Sequence, residues 1–438
     1  MRKIFIASAI IAMVIAFGSC EKIDFPWLHH SNDGLEKADA RIAHDWYKLE
    51  LRILLERNSA MRGVYFGYIG IGLYESVRNG IEHAASFAGK LYQMPVMPAK
   101  ENFKSYNWLV SANAAMAAML RSFNSGLTTA NNASIDSLEN AYNQLLRPLA
   151  TNEIFSRSQA YGKSVATSIY NWSLTDNYNP SNVGYIPPVF PGAWVPTPPA
   201  FAKAANPFVS SARPFLPENA SAVAPSFPAV YSEDPASDFY KIVKNVYDVS
   251  KTLTTEQKNI ALFWVDLGNG LGVTTDGHNI SVIVQALEQN KASLAVSAEA
   301  YAKAGIADRE AFIVCFRSKY KYNLVRPVTY IQKFIDSAWL PFIPTPAHPE
   351  YPAAHAFVTG TVMEAVTKVL GNHITVTDHT YDFRGWTSRT YNSLVAVGQE
   401  AGISRLYGGI HYLPSINEGL SLAHDLGKKI GSIQLIGD

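Results

Sequence analysis

Apolar residues recur at helical spacing through most of the chain. Over residues 35–56, Ile42, Trp46, Leu49 and Ile53 follow one another three and four positions apart, which gathers them on one face of a helix. The same periodicity predicts helices at about 60–79, 106–123, 130–147 and 152–173. It returns at about 236–249, 255–268, 278–291, 294–318, 355–370, 391–407 and 417–434. Thr254, ahead of Thr255 and Glu256, is a fitting N-cap for one of these. No run of alternating strands interrupts the series, so the pattern predicts an all-α protein of helix bundles with short connections.

One stretch breaks the periodicity. Residues 180–235 hold thirteen of the 24 prolines, including Pro187-Pro188 and Pro198-Pro199, so neither a helix nor a central strand can persist there. The stretch is also rich in Phe, Trp and Val, unlike a solvated linker. It reads as a long aromatic loop packed over the helical body.

The amino terminus follows a different logic. Arg2 and Lys3 precede an apolar run over residues 4–17, too short for a comfortable membrane span and suited to a secretory signal over 1–19. Gly18-Ser19 directly before Cys20 resembles a bacterial lipoprotein signal, with Cys20 as the lipid-bearing first mature residue, although Phe17 stands where Leu is usual. An ordinary signal with an incidental cysteine is the alternative. On the lipoprotein reading, 20–34 is a tether and 35–438 a single exported helical domain. That domain is periplasmic or anchored at the outer membrane, touching a membrane only through the lipid on Cys20.

Composition narrows the chemistry. A chain of 438 residues can bury a large core. Lys+Arg 37 against Asp+Glu 36 gives a net charge of +1, which becomes −1 once Arg2 and Lys3 are cleaved away, so no basic excess points to nucleic acid. Two cysteines build neither a disulfide framework nor a thiolate zinc site. Cys315, within Ala311-Phe312-Ile313-Val314-Cys315, reads as a small buried hydrophobe. Phosphate-loop, dinucleotide and His-Glu-x-x-His motifs are absent.

Three segments carry candidate chemistry. In Lys319-x6-Arg326-Pro327, two cations seven apart would lie on nearly one helix face, with Pro327 ending the helix; alone, this also fits a solvated basic helix end. Pro349-Glu350-Tyr351-Pro352-Ala353-Ala354-His355 places His355 in the first turn of an apolar helix. There, free N–H groups favour an anion and an imidazole can exchange a proton, although a structural hydrogen-bonding histidine fits as well. In Ser404-Arg405-x5-His411, Gly408-Gly409 lets the chain turn and bring Arg405 beside His411; a capped turn is the plainer alternative. Together, two Arg, one Lys and two His describe a pocket for phosphate or a phosphate-like oxyanion. His278, in Asp276-Gly277-His278, sits at a helix entry near the same pocket. His373, Asp378, His379 and Asp382 read as a polar surface loop, and His424 as a core histidine on the last helix.

In this order, the three segments resemble the signature of the vanadium-dependent haloperoxidases and of the type-2 phosphatidic acid phosphatases that share their fold. Tyr68-Ile69-Gly70-Ile71-Gly72-Leu73-Tyr74-Glu75, Pro196-Thr197-Pro198-Pro199 and Lys319-Tyr320-Lys321-Tyr322-Asn323 are similar to the bacterial haloperoxidase-like branch, over essentially all of 35–435. The resemblance implies two four-helix bundles with the oxyanion in the second, the 255–438 half. It implies that Lys319, Arg326 and Arg405, with Ala354 and Ser404 beside them, hold vanadate. His411 would bond its vanadium, or phosphorus in a phosphatase, and His355 would be the acid–base group. Hydrogen peroxide and a halide, or a phosphoester, would be the substrates. His348 stands where the family tends to have Phe in chloroperoxidases and His in bromoperoxidases, which favours bromide or iodide; an exposed loop residue is the alternative.

Two departures qualify these implications. Ala353-Ala354 stands where the family has Ser-Gly, so the hydroxyl contact to the anion is lost and the backbone contact survives only where a Cβ is allowed. Such a charge-assisted hydrogen bond is worth roughly 1.5–3 kcal/mol. The family's acidic residue after the metal-linked histidine is also displaced: Ser415 stands four positions after His411, and Glu418 reaches back only if the loop bends. Three functions therefore stay open: a haloperoxidase-like enzyme, a phosphatase of the same fold, and a catalytically impaired oxyanion-binding protein.

Overall fold

The computed structural model describes residues 34–57, 63–266 and 272–435, so the signal over 1–19, Cys20 and the tether up to residue 33 lie outside the described residues. Thirteen α-helices run through the described chain. In the first half these are α1 (Arg41–Arg57), α2 (Gly63–Val77), α3 (Trp108–Phe123), α4 (Thr129–Leu146) and α5 (Asn152–Ser173). In the second half they are α6 (Asp238–Lys251), α7 (Thr255–Phe263), α8 (Thr275–Gln289), α9 (Leu294–Tyr322), α10 (Pro327–Phe334), α11 (Gly360–Leu370), α12 (Leu394–Tyr407) and α13 (Leu413–Gly431). Side-chain caps start most of them. The Thr254 hydroxyl accepts from the Gln257 amide while the Gln257 side chain returns to the Thr254 amide, closing a capping box at α7.

The 29-residue α9 is the central post, shared by both halves. Its first half packs on α2 so closely that a Cβ at Gly305 would lie 2.3 Å from the Phe66 carbonyl, and one at Gly70 2.5 Å from that of Tyr301. Glycine is required at both crossings, because any larger residue would push the helix axes apart. With α3 and α5, these helices form the first bundle. The second half of α9 packs with α11, α12 and α13 into the second bundle. A two-stranded antiparallel ribbon, β1 (Val376–Asp378) and β2 (Arg389–Tyr391), pairs Asp378 with Arg389 and lies against α8.

The proline-rich loop is packed, as expected. Trp194 is buried and donates its amide to the Asn323 carbonyl at 2.7 Å, and the Ala205 amide reaches the Ala347 carbonyl at 2.7 Å. The loop thus straps the two segments that lead into the candidate site. Cys315 is buried in an apolar cluster, again as expected.

The structure corrects several expectations. The helix carrying Lys319 stops at Tyr322, because Asn323 takes a left-handed conformation (φ 47°). Pro327 does not end a helix: it occupies the first turn of α10, where its missing N–H costs nothing, and Arg326 is the N-cap. Lys319 and Arg326 therefore meet across a break rather than along one helix face. Pro414 likewise lets α13 begin at Leu413, before the expected 417. His424 is not in the core; its side chain is 52% exposed and pairs with Glu364. Asp378 is not on a polar surface loop but fully buried, whereas His379 and Asp382 form an exposed pair.

Candidate active site

The three expected segments converge. Lys319, in the last turn of α9, is fully buried, and its Nζ donates to the carbonyls of Pro349 (3.1 Å), Glu350 (2.8 Å) and Pro352 (2.5 Å). Burial pulls the amine down to about 7. Three acceptors require three N–H donors, however, and only the ammonium has them, so geometry holds the charge. Arg326 donates from Nε to the His348 carbonyl (2.9 Å), from Nη1 to the Ile410 carbonyl (2.7 Å) and His411 Nε2 (3.1 Å), and from Nη2 to His348 Nδ1 (3.0 Å). Arg405, in the last turn of α12, gives Nη1 to the Trp264 carbonyl, and its buried Nε has no partner among the described residues. Burial lowers both guanidiniums to about 10, which leaves them charged at neutral pH. Among the described residues, no carboxylate pairs with any of these three cations.

His411 lies at the centre. Its Nδ1 donates to Glu350 Oε1 at 2.7 Å while its Nε2 receives Arg326 Nη1, so two independent contacts fix the same tautomer, with Nε2 unprotonated and its lone pair turned to Arg326. Glu350 also accepts the Tyr412 amide (2.9 Å) and the Ser415 hydroxyl (2.6 Å). Burial pushes its carboxyl up, but three donors on its two oxygens are the surroundings of an ionised group. Burial, reinforced by Arg326, Lys319 and Arg405, keeps His411 neutral by drawing its imidazole well below the usual range. Glu418 is thus not the orienting group. The carboxylate comes from the loop before α11, and Ser415 holds its far oxygen.

His355 opens a π-helical turn (His355–Thr359) that runs into α11, the kind of local widening frequent at functional sites. Its Nε2 lies 3.2 Å from Asp266 Oδ2 and 3.4 Å from the Thr275 hydroxyl. Burial first, then Arg405, draws His355 down to about 4 against the opposing pull of Asp266. Ala354 caps this turn with φ −64° and ψ −43°, ordinary for any L-residue, so the backbone tolerates the Cβ that the family's glycine lacks. His348 is tied to Arg326 rather than exposed in solvent. Ser404 is buried beside Arg405, but its hydroxyl donates to the Ala401 carbonyl at 2.6 Å within α12.

Behind His355 stands a set of buried groups that the sequence only hinted at. Asp266, just past α7, Tyr381 and Asp378 surround His278 in the first turn of α8. Asp266 follows Phe263-Trp264 with no motif to announce it. Glu350 was legible in principle, as the one acid inside Pro349-Glu350-Tyr351-Pro352.

Fold and site together define a helical-bundle protein with three buried cations gathered around a neutral histidine. The family model for the VCPO second helical-bundle domain matches residues 299–434. The crystal structure of the first bacterial vanadium-dependent iodoperoxidase superposes with a TM-score of 0.82 at 30% identity, over 91% of this chain and 98% of that one. The holo-type and apo-type structures of a bacterial vanadium-dependent chloroperoxidase share the fold. Their TM-scores are 0.60 and 0.57 at 18% and 17% identity, each over 84% of this chain and 90% and 91% of theirs. No curated protein sequence matches. The chain belongs to the vanadium-dependent haloperoxidase family.

Proposed function

We propose that this protein oxidises halide with hydrogen peroxide at vanadate bonded to His411 Nε2. One observation carries the reading: three buried cations with no directly paired carboxylate gather around a histidine whose unprotonated Nε2 faces Arg326. Glu350 and Asp266 offset these charges only through space, so an excess of buried positive charge remains that an oxyanion would offset. The donor set suits vanadate: Arg405 keeps an unpartnered Nε, Arg326 would share its guanidinium N–H groups, and Lys319, whose three N–H groups are taken by carbonyls, would contribute its charge. When bound, vanadate supplies a Lewis-acidic centre that activates peroxide without changing its own oxidation state, so no redox partner is needed.

Glu350 keeps Nδ1 of His411 protonated and Nε2 basic. His355 would be the acid–base group in either reading, taking a proton from peroxide or giving one to a leaving group. The similarity to an iodoperoxidase favours the peroxidase over the phosphatase reading. His348 beside Arg326 favours bromide or iodide, and the similar iodoperoxidase supports the latter. The missing hydroxyl at Ala353 weakens the anion's hold without removing its cations.

Purified protein loaded with vanadate should brominate or iodinate a phenol in a peroxide-dependent manner. Vanadate-inhibited hydrolysis of a phosphomonoester without halogenation would instead support the phosphatase reading, and neither activity together with tight vanadate binding the impaired binder. We also propose export with lipid on Cys20. Labelled palmitate should appear in the membrane fraction with the wild-type chain and not with Cys20→Ala.

A further inference from the structure

His278 is buried with both ring nitrogens against carboxylates. Nδ1 lies 2.9 Å from Asp266 Oδ1 and Nε2 2.8 Å from Asp378 Oδ2. A neutral imidazole has one N–H, so one of these contacts would set a lone pair against a carboxylate oxygen; only the imidazolium satisfies both. The surroundings fit a cation. The Trp264 indole stacks on the ring at 4.2 Å between centroids, and the Trp264 Nε1 is anchored by Glu400 at 3.1 Å. Asp378 is fixed from behind by the Thr380 amide (2.9 Å) and the Gln285 side chain (3.4 Å).

Asp266 is the link to the site. Its Oδ1 takes His278 Nδ1 and the Tyr381 hydroxyl (2.6 Å), which leaves Oδ2 for His355 Nε2. With Oδ1 held by two donors, Oδ2 stays turned toward His355.

We infer that His278 is a positioning residue: a permanent imidazolium, clamped between Asp266 and Asp378, that locks Asp266 onto His355 and thereby fixes His355 as the Nε2–H tautomer with Nδ1 as its free base. The inference rests on the reading of His355 as the acid–base group. A lone buried carboxylate behind His355 would draw the ring toward the charged form; a cation on the far side of that carboxylate offsets its field. Burial alone would discharge His278, but Asp266 and Asp378 hold it up at about 10, in line with the two-carboxylate geometry. The groups facing His355 are Asp266, Arg405, His278 and His348; those facing His278 are Asp266, Asp378 and Tyr381.

The test uses the intact, vanadate-free protein, so it does not depend on halide oxidation. With 15N-labelled histidine at pH 7.5, one imidazole, absent from His278→Gln, should show two protonated nitrogens, and another, absent from His355→Gln, should show the Nε2–H pattern. Asp378→Asn, a milder change than His278→Gln, should return His278 to a neutral form and move the His355 resonances toward the charged ring. In the vanadate-loaded enzyme it should lower kcat about 10- to 100-fold, typical for partners of this kind, with KM for peroxide within about twofold. A neutral His278 in the wild type, or His355 resonances unmoved by Asp378→Asn, overturns the inference. The expected spectra without halogenation would sink the peroxidase reading and leave the positioning role intact.

Discussion

Two buried arginine clusters, one in each half of the molecule, solve the same problem in opposite ways. In the first, Arg309 donates to Asp176 Oδ2 (2.9 Å) and the Arg213 carbonyl (2.9 Å), while Arg213 reaches the carbonyls of Trp172 (2.8 Å) and Thr175 (3.2 Å). Tyr68, which also touches Asp176, closes the set. In the second, Lys319, Arg326 and Arg405 find carbonyls and a histidine but no carboxylate. An unbonded Nε does not separate the clusters, since Arg213 has one as well as Arg405. The direct ion pair does: Asp176 touches Arg309 at 2.9 Å, whereas Glu350 and Asp266 act on the three site cations only through space. A closed ion cluster ties helices together; an open one, on the proposed function, would take its anion from outside.

That contrast can be broken experimentally, beginning with the largest effect. His411→Ala should abolish vanadate-dependent halogenation and tight vanadate binding, with thermal stability near that of the wild type. Halogenation retained at more than a tenth of the original rate would remove His411 from the centre of the site. Arg309→Gln should cost about 3–5 kcal/mol of stability by stranding Asp176, seen in denaturant unfolding, with vanadate affinity unchanged in the folded fraction. Arg405→Gln should do the reverse, weakening vanadate about 10- to 150-fold while leaving the melting temperature equal or higher. If both substitutions destabilise alike, the distinction between closed and open clusters fails.

Glu350→Ala should lower kcat about 10- to 100-fold by freeing the His411 tautomer, and adding Ser415→Asp should recover part of it by restoring a carboxylate on α13. Ala353→Ser should tighten vanadate binding by about tenfold, one hydrogen bond's worth, in a direct titration. The smallest effect is a pH dependence. His278 is raised in the folded chain to about 10. Its contribution is therefore fully present below the unfolded value of roughly 6.5 and is lost as pH rises through about 10. Melting temperatures should fall over that window, and His278→Gln should flatten the fall.

Much of this is legible in the sequence. The helical periodicity located nearly every helix, because amphipathic faces must recur at 3.6 residues to reach a common core. The short α10 escaped, since eight residues following a proline carry too little pattern. So did the β1–β2 ribbon, whose three-residue strands show no alternation. Lys319, Arg326, Arg405, His355 and His411 were identified by spacing and resemblance, and the fold brings them together. Glu350, Asp266 and Asp378 were not, because each acts across the chain: Glu350 is 61 residues from His411, and Asp378 100 residues from His278. Local pattern reports what a segment does for itself, and these carboxylates serve distant segments.

The stretch from Pro349 to Pro352 has a consequence for how this chain can vary. Its carbonyls face Lys319 while the side chain in its midst faces His411, so one short run of backbone sets the phase of two different partners. Inserting or deleting one residue there would misalign both at once, whereas the exposed tips around Val183 and Val189 in the proline-rich loop meet no such demand. Length variation among relatives should therefore accumulate in that loop and be excluded from 349–355.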